Sequence, residues 1–256
     1  MTLLTRLYLS TILANGTVIL LAAGLPILAY CLPQLVPATL KPSLLEPARA
    51  QAGWILLWTV CSGWLFLSAA STGEEWRRNG LLVYAFSREA ARFRRLRLIA
   101  GSTIGFSVPA ILFVFGTFLT SVVGALPGDQ KEAELWIILN LQSCFLYLTI
   151  VIPLATLSFA VATRFSSTVS WILVSCHFGF GFFFQGNLAP YLVSSSPPGQ
   201  LLNLLGPHFH LADLTERLVF KMGPLPFSGF AQFLGYFAGW GLVTMVVAIL
   251  IFRARQ

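Results

Sequence analysis

Few side chains in this sequence are suited to chemistry, and their spacing narrows what that chemistry could be. His177 is the one titratable side chain deep in an apolar run. A haem or metal ligand, a substrate contact, or a neutral imidazole hydrogen-bonded to a neighbouring helix are its open uses. Axial haem ligation calls for a second ligand at similar depth, and no other apolar run supplies a histidine. His208 and His210 form an H-x-H pair, which by itself is an incomplete metal set. The four cysteines, Cys31, Cys61, Cys144 and Cys176, contain no C-x-x-C. They signal neither zinc nor redox chemistry and read as small apolar packing residues. A hydrolase would have to use His177 with a neighbour such as Ser175, and no orienting third group is evident. G-x-x-x-x-G-K-[ST] is absent, since each of the three lysines (Lys41, Lys131, Lys221) follows a non-glycine. Without that loop the chain has no such cradle for nucleotide phosphates.

The elements that carry these residues are apolar to a degree that decides the fold class. Of 256 residues, 57% are hydrophobic and 10% charged, with a mean hydropathy of +0.80. A soluble domain has about 25% charged residues. The apolar runs are continuous and reach the roughly 20 residues that span a bilayer as a helix. Helices satisfy their own backbone where lipid offers no partners, and the alternation of a lipid-facing barrel is missing. The expectation is an all-α polytopic membrane protein. It has one domain over residues 1–256 and six spans at about 11–32, 52–71, 98–126, 135–162, 168–186 and 229–252. The first apolar core exceeds a signal-peptide h-region, so it reads as a retained helix.

The net charge of +7 does not indicate nucleic acid, because the basic residues stand beside the spans as topology signals do. With the N-terminus inside, eleven Lys and Arg residues fall on the cytoplasmic side against five opposite, and six of the nine acids lie outside. Both termini are therefore expected inside. No Asp, Glu, Lys or Arg occupies the middle of a span. Proton relays and intramembrane acid–base catalysis need such groups. The polar residues within the spans include Asn140, Gln142, Ser143, His177 and Gln185. Asn140, Gln142, His177 and Gln185 are the candidates for a substrate path. The fifth span is dense in Phe and Gly from Phe178 to Phe184. That pattern suits close helix packing or the lining of a path for lipid-like cargo. Pro109 and Pro153 permit kinks in the third and fourth spans.

Thr72–Arg97 is the one inner segment large and charged enough to meet a partner. Arg88, Arg92 and Arg95 fall on one helical face, while Leu82, Phe86, Phe93 and Leu96 supply apolar surface. Such a stretch can rest on anionic lipid headgroups or dock a soluble partner. It resembles the cytoplasmic loop of ABC-2 type permeases of ABC transporters. In that family a Glu soon after the second span precedes a Gly, apolar residues, a Ser-Arg pair and further basic residues. Here Glu75, Gly80, Leu81-Leu82, Ser87-Arg88 and Arg94/Arg95/Arg97 stand in that order. Phe86 or Ala85 occupies the place where proline is usual. Leu205–Phe209, followed by a charged amphipathic stretch, is similar to the branch containing permeases for nitrous-oxide-reductase maturation and gliding motility.

The resemblance implies a permease subunit of an exporter in a bacterial inner membrane. It would pair with a second permease copy or paralogue and with two ATPase subunits that bind the ATP and Mg. No cofactor is expected in this chain, and no substrate is implied. Glu75, Gly80, Tyr84, Phe86, Ser87 and Arg88 would form the docking and coupling segment, with Tyr84 and Phe86 as apolar anchors. The cargo is left open between an amphipathic or lipidic molecule and force passed across the membrane. A non-transporting scaffold or assembly factor and a membrane-embedded hydrolase are the rival classes. The outer stretch Asn187–Ser228, 42 residues, is long for a connection. It is expected to form short helices that dip back to the interface and cap the path between two permease copies.

Overall fold

The computed structural model describes residues 10, 16–35, 42–81, 94–187, 200 and 206–252. Among them the chain is helical and contains no strand. Six helices are long and apolar enough to cross a membrane. Helix α1 (Gly16–Cys31) ends in a 3₁₀ turn, Leu32–Leu35. Helix α2 runs from Pro42 to Leu56, passes through a π turn at Leu57–Cys61 and continues from Ser62 to Arg78. Helices α3 (Arg94–Ala125) and α4 (Gln130–Ala162) follow. Helix α5 covers Ser167–Gly179, a second π turn at Phe180–Phe184 and Gln185–Asn187. After a 3₁₀ turn at Phe209–Ala212 come the short α6 (Thr215–Val219) and the long α7 (Phe227–Ile251).

Local chemistry sets the ends. Asp129 caps α4 by accepting from the Glu132 amide at 3.2 Å, and Ser166 caps α5 by accepting from Val169. Gly80, at φ +67°, follows the end of α2 where only a residue without Cβ turns freely into the left-handed region. Arg164 donates to the terminal carbonyls of Leu250 and Ile251 and so closes the C-terminus of α7.

Helix α4 is the hub and packs against α2, α3 and α7. Its membrane window is 67% buried, against 22% for α7 and 17% for α1. Lipid provides no hydrophobic drive between helices, so close backbone approach and hydrogen bonds hold the bundle. A Cβ at Gly73 of α2 would stand 2.6 Å from the Phe159 carbonyl of α4. Among the described residues four hydrogen bonds run between α2 and α4. Trp54 Nε1 donates to Asn140 Oδ1 at 2.9 Å, Ser62 Oγ to Tyr147 Oη at 3.1 Å, Tyr147 Oη to the Leu57 carbonyl at 3.5 Å and Ser158 Oγ to the Phe66 carbonyl at 2.8 Å. Pro109 and Pro153 sit inside continuous α3 and α4.

The second and fourth spans differ most from the sequence reading. The second begins at Pro42 rather than near Ala52 and, expected to end near Ser71, continues in helical form to Arg78, so Thr72–Arg78 is the tail of α2 rather than the start of a separate segment. The reason for the extension is packing: Gly73 lies against the Phe159 carbonyl of α4, and the buried Trp76 ring meets Phe159 edge-on at 6.1 Å. Residues 82–93 lie outside the described residues, so the expected coupling helix does too. The fourth span begins earlier than expected, at Gln130, because Asp129 supplies a cap ahead of the apolar residues.

Candidate functional site

An opening lies at the end of the bundle opposite Arg78. The segment 206–226 folds back there onto the helices rather than standing away from them. Phe209, Ala212 and Leu218 are buried, and α6 packs on the first half of α2. Gly181 makes this possible, since a Cβ there would lie 2.5 Å from the Phe209 ring and 2.8 Å from the Pro207 carbonyl. Gln142 of α4 then fastens the far end. Its Nε2 donates to the Leu225 carbonyl at 2.9 Å, and its Oε1 accepts from the Leu225 amide at 2.8 Å. Among residues 206–226 the segment forms one 3₁₀ turn and the short α6. Asn187 belongs to the last turn of α5, and 188–205, apart from Gln200, lie outside the described residues.

Between this segment, α2 and α5 is a cavity of about 730 Å³. Its apolar wall includes Ile55, Trp58, Phe182, Phe183 and Phe233, and Gln51, His210, Asp213 and Glu216 give it polar character. Both π turns face it: Trp58 and Thr59 come from the one in α2, Phe182 and Phe183 from the one in α5. The Trp58 and Phe182 rings meet at 5.1 Å. A π turn inserts a residue and disturbs the regular hydrogen-bond ladder, and such turns concentrate at functional sites. Two of them in contact across one cavity mark it as the candidate site. Burial lifts the Asp213 carboxyl above its usual range although its Oδ1 accepts from the Thr215 amide at 3.0 Å. Burial likewise lowers His210, which favours the neutral imidazole.

The four residues singled out for a substrate path sit elsewhere. Asn140 is buried in the α2–α4 seam, accepts from Trp54 and donates to the Trp136 carbonyl at 2.9 Å. Gln142 clasps Leu225, as described. The half-buried His177 ring meets Phe209 edge-on at 5.8 Å and lies 6.4 Å from Trp240. Gln185 is buried near the end of α5. Among the described residues none of the four lines the cavity. The Phe- and Gly-rich run of α5 divides its contacts. Gly181 admits the folded-back segment, while Phe182 and Phe183 line the cavity. His208 and His210 stand 5.7 Å apart, and no metal-binding group of His, Cys, Asp or Glu occurs among the described residues.

At the opposite end, Glu75 is exposed and Gly80 ends α2. Tyr84, Phe86, Ser87 and Arg88 lie outside the described residues. The carboxylate that does bridge helices there is Glu74. It is buried, pairs with Arg78, and accepts from the Ser167 amide at the start of α5 at 2.7 Å. The positive end of the α5 dipole favours an anion at that point. Sequence reasoning passed over Glu74 because both glutamates precede the same basic run. Only helical phase separates them, Glu74 facing α5 and Glu75 facing outward. Compared with protein-family models, curated proteins and solved structures, the chain matches none.

Proposed function

We propose that the chain is the permease subunit of an ATP-driven exporter and that its cargo enters the cavity between α2, α5 and segment 206–226. The observation that carries this reading is that cavity, lined by two π turns. It fits an amphipathic molecule, with aromatic walls and a polar rim. The resemblance of Glu75, Gly80 and Ser87-Arg88 to an ATPase-docking segment supplies the partner class. Energy comes from two ATPase subunits, since no phosphate-binding loop occurs in this chain. A second copy or paralogue completes the permease. Glu74 gives the docking segment a mechanical path: a pull on the residues after Arg78 acts on α2 and, through the Ser167 amide, on α5. These two helices carry the π turns, so a rigid-body shift at one end reshapes the cavity at the other.

The partnership is tested by purification. The chain is expected to co-purify with a soluble ATPase in a complex containing two permease chains, and to hydrolyse no ATP alone. Sustained hydrolysis by the contaminant-free chain would refute the assignment. The proposed orientation places the Arg78 end in the cytoplasm. Single cysteines at Asn79 and Gln200, in a background lacking the native cysteines, are treated with an impermeant thiol reagent on intact cells. Asn79→Cys should stay unlabelled and Gln200→Cys should label; the reverse pattern inverts the topology.

A further inference from the structure

The cavity is uneven in charge, and the unevenness points to a class of ligand. Among the described residues three formally charged side chains line it: Asp213, Glu216 and Arg217, two acids against one base. Arg217 also holds the chain beyond α6. Its Nε donates to the Gly223 carbonyl at 3.0 Å and its Nη2 to that of Pro224 at 3.4 Å. It also lines the neighbouring small recess with Glu132 and Lys221, where those two form their own ion pair at 3.1 Å. The remaining rim is set by two carboxylates. Asp213 is fixed by its bond to the Thr215 amide, and Glu216 is exposed. His210 adds a ring whose burial disfavours the cationic form. Phe182 and Phe183 present aromatic surface to the cavity, with the buried Trp58 ring packed behind Phe182. Aromatic faces attract cations as well as apolar groups, and most strongly where water is scarce.

We infer that the cavity binds an amphipathic organic cation, with an ammonium- or guanidinium-type head at the Asp213–Glu216 rim and an apolar body against Phe182 and Phe183. An anionic amphiphile would bring like charge to the rim. A neutral chain would leave the carboxylates unused. The volume of about 730 Å³ lies within the range of small-molecule sites. This inference names the cargo class for the exporter reading and rests on the same cavity, but binding needs no ATPase. Failure to recover an ATPase would therefore end the exporter reading and leave the binding result standing.

The test uses the full chain in nanodiscs of zwitterionic lipid, with empty nanodiscs as background. Tetraphenylphosphonium and tetraphenylborate are the probes, because they match in size and shape and differ in the sign of charge. Tetraphenylphosphonium is expected to bind saturably, with tetraphenylborate failing to displace it. Glu216→Lys should weaken binding about tenfold or more, equivalent to about 1.4 kcal/mol. Phe183→Ala should weaken it as well, since that ring lines the cavity. Asp213→Asn is the companion variant. Should it disturb the turn into α6, Glu216→Gln tests the same charge without touching a described hydrogen bond. Equal binding of the two probes, or unchanged phosphonium binding in both Glu216 variants, overturns the inference.

Discussion

Glu74→Ala is expected to uncouple α2 from α5 at the Arg78 end. The variant loses the 2.7 Å bond to the Ser167 amide together with the pairing to Arg78. The ion pair contributes little, because the Arg78 side chain is 73% exposed. The amide bond matters more, since a charged acceptor at a helix N-terminus contributes about 1–2 kcal/mol and its loss leaves a part-buried donor unmet. Amide exchange at Ser167–Ser170 should accelerate about tenfold, and the thermal midpoint of the purified chain should fall. Glu75→Ala is the control, because that side chain is exposed and should leave both readings unchanged. In the proposed assembly Glu74→Ala should also lower cargo-stimulated ATP hydrolysis while the ATPase remains bound. Unchanged exchange at the start of α5 would show that the bridge bears no load.

Gly73→Ala should be the more damaging change. An added Cβ would meet the Phe159 carbonyl at 2.6 Å and the Ala162 methyl at 3.0 Å, and neither is the end of a flexible side chain. Helix α2 would have to move off α4, which is the hub of the bundle. Overpacking of this kind costs about 1–3 kcal/mol and more where backbone must shift. The comparison is Gly63→Ala on the same helix, where nothing stands within 4 Å of the new Cβ. There the better helix propensity of alanine should leave stability equal or slightly higher. The measurement is the midpoint of thermal aggregation of detergent-solubilised protein, followed by size-exclusion chromatography. Equal midpoints for the two variants would mean that α2 and α4 do not approach as closely as described.

The sequence by itself determined the class of protein. Continuous apolar runs of bilayer length leave the helix as the structure that satisfies its own backbone, so six spans were legible to within a few residues at most ends. Hydropathy could not place the end of α2, because Gly73 and Trp76 pack on Phe159 of α4 and hold the helix beyond its apolar run. Nor could it rank the polar residues. Asn140 and Gln142 are both polar residues of one span, and only the structure shows the first bonded to Trp54 and Trp136 and the second to Leu225. The site's own residues come from four separated stretches: Gln51–Thr59, Phe182–Gly186, His210–Leu225 and Phe233. Only tertiary structure brings them together. The two π turns leave no proline or motif to announce them, since an inserted helical residue is accommodated by packing between Trp58 and Phe182 rather than encoded by a local residue type.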